Sequence, residues 1–170
     1  VLFAWRARGD LRWLWGSSAM IFLQWFTDAF DGALGRSRNT GLVKWGYYMD
    51  HWLDYLFMTC AFAQYAVLVD GAARVLVLVW TFLYVGLMVS AWLSFACTNR
   101  FQITHLGMGP TEVRLMLIVI NTGLVVFGVG WFRAAVPWIV AVTALLTSVI
   151  VWGAQRALWR ADMRAKSGGH

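Results

Sequence analysis

From its first residues onward, the chain is a succession of long apolar runs cut by short polar links. Residues 13–34, 45–69, 72–95, 114–131 and 139–159 are each predominantly apolar, and each approaches or exceeds the ~20 residues with which a helix crosses a bilayer. Inside hydrocarbon a lone strand leaves its backbone unsatisfied and a helix does not, so each run predicts a spanning helix. Polar links are expected over 36–44, at Asp70-Gly71, over 99–113, and at a turn marked by Arg133 and Pro137. Residues 1–5 are apolar but too short to span, and Arg6, Arg8, Asp10 and Arg12 follow them, the pattern of the tail of a preceding helix. The expectation is an all-α, polytopic bundle of transmembrane helices with five visible spans. It forms one domain over residues 1–170, with 160–170 a basic tail that frays and a first helix upstream of Val1.

Composition agrees. The chain is 61% hydrophobic and 13% charged, more apolar surface than a soluble core of this size hides. Many of its 12 Trp, among them Trp13, Trp15, Trp45, Trp131, Trp138 and Trp159, stand near the ends of the runs. They suit interfacial belts, with about half expected instead to pack helix against helix. A net charge of +6 would suggest nucleic acid in a soluble protein, but the basic residues sit in the links and the tail. There they read as topology signals and lipid-headgroup contacts, so no nucleic-acid partner is expected. Arg36, Arg38, Lys44, Arg100, Arg114, Arg156, Arg160, Arg164 and Lys166 fall on one side; Arg6, Arg8, Arg12, Arg74 and Arg133 fall on the other. The richer side is expected in the cytoplasm. Cys60 and Cys97 lie in apolar runs without metal-ligand spacing and read as packing residues, with no disulfide implied.

Against this background one polar stretch stands out. Of 8 acidic residues, Asp28, Asp31, Asp50 and Asp54 fall between positions 28 and 54, with apolar sequence on both sides. Carboxylates at the edge of hydrocarbon mark a functional site by default. Spacings of three and four put each pair on one helical face, and a helical hairpin with a short link brings the two faces together. Such a cluster suits hard divalent cations such as Mg2+ or Mn2+. Gly32, Gly35 and Gly46 allow a phosphate close to the backbone, while Arg36, Arg38 and Lys44 meet its charge. The residue types point to metal-assisted chemistry on a phosphate ester. The bland alternative is ion pairing of the acids with Arg36, Arg38 and Lys44 to hold the hairpin.

Asp28, Asp31, Gly32, Gly35, Arg36, Gly46, Asp50 and Asp54 together resemble the signature of the CDP-alcohol phosphatidyltransferases: Asp-x-x-Asp-Gly-x-x-Ala-Arg, eight residues, then Gly-x-x-x-Asp-x-x-x-Asp. Gly35 stands where that family has Ala, and the nine residues 37–45 separate Arg36 from Gly46; interhelical loops absorb one extra residue at little cost. The resemblance implies a six-helix fold whose last five helices are the spans seen here, with the site at the cytoplasmic face. It also implies a phospholipid-synthesising reaction in which a hydroxyl attacks the phosphorus of a CDP-linked donor and CMP leaves. By the same resemblance, Asp28, Asp31, Asp50 and Asp54 are metal ligands for two ions, and Asp54 is also the catalytic base. Gly32, Gly35, Arg36 and Gly46 bound the nucleotide pocket, and a homodimer is expected.

Alternatives remain open at this level. The donor is CDP-diacylglycerol, or a CDP-amino alcohol with diacylglycerol as acceptor. From a different class, a divalent-cation transporter would place acids at mid-membrane on several helices, and a degenerate scaffold would lack some of the aspartates. Arg38, Lys44, Arg100, Thr111, Glu112 and Arg114 are candidates for the acceptor pocket. Gly109-Pro110-Thr111-Glu112 is equally an ordinary helix start, and it resembles a Gly-Pro-x-Glu stretch of the amino-alcohol branch. His51, one residue from Asp50, is expected to face away from it in a lipid-interface or packing role. Asn121, mid-span, predicts an interhelical hydrogen bond.

Overall fold

A computed structural model describes residues 1–38, 43–98 and 109–167, and within these the backbone alone of residues 29, 31–38 and 43. The described residues form α1 (Leu2–Ala7), α2 (Leu14–Arg38), α3 (Val43–Ala63), α4 (Ala72–Thr98), α5 (Pro110–Phe127) and α6 (Gly130–Ser167). A 3-10 turn at Leu11–Trp13 leads α1 into α2, and another at Gln64–Val67 closes α3. No strand occurs among the described residues. Three helices, α4, α5 and α6, are long and apolar enough to cross a membrane; at 1.5 Å per residue α4 is about 40 Å long and α5 about 27 Å. At 25 and 21 residues, α2 and α3 have the length as well, and they carry the acids that interrupt the apolar pattern.

Three expected boundaries move. Helices α2 and α3 run into the expected 36–44 link from both sides, so Gly35, Arg36 and Arg38 are helical and only residues 39–42 lie between them. The turn expected at Arg133 and Pro137 falls earlier, at Gly128-Val129. There Gly128 adopts φ 78° and its N–H caps the Leu124 carbonyl at 3.0 Å, a backbone that strongly favours glycine. Pro137 sits inside α6, where it forgoes one backbone bond without ending the helix. Finally, the basic tail continues α6 as helix to Ser167, while residues 168–170 lie outside the described residues.

Helix α2 lies along α5, α3 along α4, and α4 along α6. Each inner face follows the helical period. On α2 it passes through Leu14, Ser17, Ser18, Ile21, Gln24 and Asp28; on α5 it passes through Arg114, Leu117, Asn121 and Leu124. Leu14, Ile21, Phe62, Tyr65, Leu117, Leu124 and Phe132 are buried at one end of this seam. Phe62 stacks on Tyr84 at 4.2 Å and meets Trp80 edge-on at 4.7 Å. Among the described residues Trp80 is the one buried Trp, whereas Trp5, Trp45, Trp138, Trp152 and Trp159 are well exposed. Most of the tryptophans therefore face outward instead of packing helix against helix. Cys60 and Cys97 are likewise exposed rather than packed in the core.

Apolar side chains do little to choose one partner over another where lipid tails are equally apolar, so buried polar contacts specify the pairing. The Tyr65 hydroxyl points at both the Leu117 carbonyl, 3.1 Å away, and Asn121 Oδ1, 2.9 Å away. Asn121 Nδ2 donates to Ser18 Oγ at 3.1 Å, and Ser17 Oγ donates to Gln64 Oε1 at 2.7 Å. The expected interhelical bond of Asn121 is therefore present, and it ties α2 and α5 to the turn after α3. Close approach is needed nearby as well: a Cβ on Gly123 would lie 2.8 Å from the Trp131 ring, whose Nε1 donates to the Gly123 carbonyl.

Tyr65→Phe leaves Asn121 Oδ1 without its donor and is expected to cost about 1–3 kcal/mol. Thermal unfolding in detergent reads this as a lower midpoint, and an unchanged midpoint would remove the network from the specification of the fold.

Candidate active site

The inner face of α2 changes character along its length, from Leu14 through Ser17 and Ser18 to Gln24 and Asp28. The seam on α5 runs in the opposite sense, from Leu124 to Arg114. Antiparallel packing therefore brings the charged ends together. Helix α3 supplies Asp50 and Asp54, one turn apart on a shared face.

Arg114 is the centre of this end. Its side chain is 5% exposed, and its Nη2 donates to Asp28 Oδ2 at 3.0 Å and to Asp54 Oδ1 at 2.9 Å. One nitrogen thus joins carboxylates from α2 and α3 to α5. Gln24 Nε2 donates to the same Asp54 Oδ1 at 2.6 Å. Asp50 stands close enough to Asp28 and Asp54 to feel the charge of both. Two buried polar atoms flank the cluster without a partner among the described residues: Arg114 Nε and Gln24 Oε1.

His51 Nδ1 lies 3.5 Å from Asp50 Oδ2, so the neighbour expected to face away is turned towards that aspartate. The same nitrogen is 2.8 Å from the Tyr47 carbonyl, and the ring packs on Tyr47 with centroids 4.0 Å apart. A bond back along the helix swings the ring out of the position that helical spacing alone assigns it.

Of the residues singled out by sequence, Asp28, Asp50, Asp54 and Arg114 are brought together. The side chains of Asp31, Arg36 and Arg38, and the surroundings of Gly32 and Gly35, lie outside the described residues, as does Arg100. Gly46 is described, and a Cβ built there would meet no described atom within 4 Å, so the position opens onto space. Lys44 is exposed at the start of α3, and Thr111 is exposed on the first turn of α5. Glu112 turns back to accept the Gly109 N–H at 2.7 Å, which makes it a helix cap in this state. Gln24 was absent from the candidates. Its signal was nonetheless present, an amide one turn before Asp28 in an otherwise apolar span.

The donor chemistry suits a divalent cation. Asp28, Asp50 and Asp54 offer hard oxygen ligands, and among the described residues these three carboxylates against the Arg114 guanidinium leave two formal negative charges. Among the described residues no three His, Cys, Asp or Glu side chains are already gathered as an ion site. Arg114 occupies one oxygen on each of two of them.

Comparison with protein families finds that the CDP-alcohol phosphatidyltransferase model matches residues 1–150. No curated protein and no solved structure matches the chain.

The Gln24 contact yields a graded expectation. Gln24→Leu removes a hydrogen bond to a charged group and is expected to cost about 1.5–3 kcal/mol. Gln24→Glu sets another carboxylate beside Asp54 and should lower the thermal midpoint at neutral pH further than Leu does. Equal shifts for the two variants would mean that the charge on Asp54 does not govern the contact.

Proposed function

This chain belongs to the CDP-alcohol phosphatidyltransferase family, and we propose that it uses divalent metal ions to move a phosphatidyl group from CDP-diacylglycerol to a hydroxyl acceptor. Membership makes it an enzyme of phospholipid synthesis that takes a CDP-alcohol donor and an alcohol acceptor at membrane lipid. The metal dependence, the donor and the residue roles are our reading, and the convergence of Asp28 and Asp54 on Arg114, with Asp50 near both acids, is the observation that carries it.

In this reading the acceptor oxygen forms a new bond to the donor phosphorus while the bond from that phosphorus to the CMP oxygen breaks. Gln24 fixes Oδ1 of Asp54, which leaves Oδ2 to take the proton of the attacking hydroxyl. Asp28, Asp31, Asp50 and Asp54 would hold two ions, Mg2+ or Mn2+. Those ions, when bound, neutralise the pyrophosphate and polarise the phosphorus. Gly32, Gly35, Arg36 and Gly46 would bound the CDP moiety. Arg38, Lys44, Arg100 and Thr111 are assigned to the acceptor by their basic or hydroxyl side chains, as the sequence suggests. The excess of Lys and Arg at this end orients the site to the cytoplasm, where soluble nucleotides are.

The test is CMP release by purified protein in detergent, supplied with CDP-diacylglycerol and small polar alcohols, with and without Mn2+ or Mg2+. Release should depend on metal, and Asp54→Asn should lower it by about a hundredfold or more. Release only from CDP-ethanolamine with diacylglycerol would reassign the donor to the amino-alcohol branch. No CMP from any donor, by protein that still binds Mn2+, would overturn the reading in favour of cation transport.

A further inference from the structure

We infer that Arg114 is a tethered counter-cation: it holds Asp28 and Asp54 together in the metal-free protein and is displaced from them when a divalent ion binds. The inference rests on the metal-dependent reading above and adds to it a residue that competes with the metal for its ligands.

The geometry is that of a shared cation. Both N–H groups of Nη2 are in use, one on Asp28 Oδ2 at 3.0 Å and one on Asp54 Oδ1 at 2.9 Å. The two acceptors come from different helices, and both are assigned above as ligands. An ion bridging those carboxylates would need the space between them, where Nη2 lies.

The charges make the arrangement mutual. Arg114 is buried, and a buried guanidinium without carboxylates is strongly disfavoured. The carboxylates in turn repel one another, and Asp50 adds to that repulsion. With no divalent ion present, the guanidinium is therefore the group that keeps the acids converged, and so keeps the ligand set assembled.

The bridge is nevertheless incomplete. Arg114 Nε is buried and finds no partner among the described residues. Its guanidinium is thus not saturated by the two carboxylates, and a planar fork pairs best through two adjacent N–H groups on one oxyanion. An ion of charge two, closer to the oxygens than a delocalised guanidinium, has the advantage in the exchange.

Free Mn2+ measured by electron paramagnetic resonance during titration of metal-stripped protein tests this, using wild type, Arg114→Gln and Arg114→Lys. Arg114→Gln should bind Mn2+ about tenfold more tightly, a difference of about 1.4 kcal/mol, because no cation has to leave. Arg114→Lys should fall between the two, since an ammonium is a compact point charge that lacks the planar fork. Without metal the Arg114→Gln thermal midpoint should fall below wild type, and Mn2+ should raise it by more than it raises wild type. If Arg114→Gln binds no tighter than wild type, Arg114 does not compete with the metal and the inference fails alone. If none of the three proteins binds Mn2+, the metal-dependent reading fails with it. Should Arg114→Gln not fold without metal, Arg114→Lys decides: tighter binding than wild type supports displacement, and equal binding overturns it.

Discussion

The guanidinium of Arg114, sunk among α2, α3 and α5 with one nitrogen on both Asp28 and Asp54, sets the form of the charged end of the bundle. A buried cation must be met by carboxylates, and carboxylates at the margin of hydrocarbon must be met by a cation. Neither requirement is satisfied within a single helix. One side chain thus links three helices at this end, and Gln24 holds the same Asp54 oxygen from the α2 side.

From this end the inner seam grades into the core. Arg114 on α5 meets Asp28 on α2, and two turns further along Asn121 meets Ser18, with apolar Leu124 and Leu14 beyond. Lipid tails compete equally for every apolar face, so the polar layer of Tyr65, Asn121 and Ser18 is what favours this pairing over other apolar contacts. The site and the core are therefore one continuous stripe, and the residues that position the carboxylates are the next turns of the same helices.

Most of this was legible in the chain because its signals are local. Apolar runs of spanning length gave the helices, and the i+3 and i+4 acid spacings gave the shared faces. The mid-span Asn121 gave an interhelical bond. What escaped depended on neighbours distant in sequence or on backbone detail. By sequence Arg114 reads as an acceptor candidate, because nothing in its own segment says that it reaches back to Asp28. Gln24 passed as one more residue of an apolar span. The turn was set at Pro137 because proline is a strong punctuator, yet α6 accommodates it and the left-handed Gly128 ends α5 instead. His51 turned towards Asp50 through a bond to the Tyr47 carbonyl that helical periodicity does not register.

The bridge also has a place in time. Arg114 follows Asp28 by 86 residues and Asp54 by 60. Because chains are made from the N-terminus, the carboxylates of α2 and α3 are synthesised well before the counter-charge that meets them. The bridge among the three helices can therefore close only once α5 has been made, which makes it a late contact of the fold.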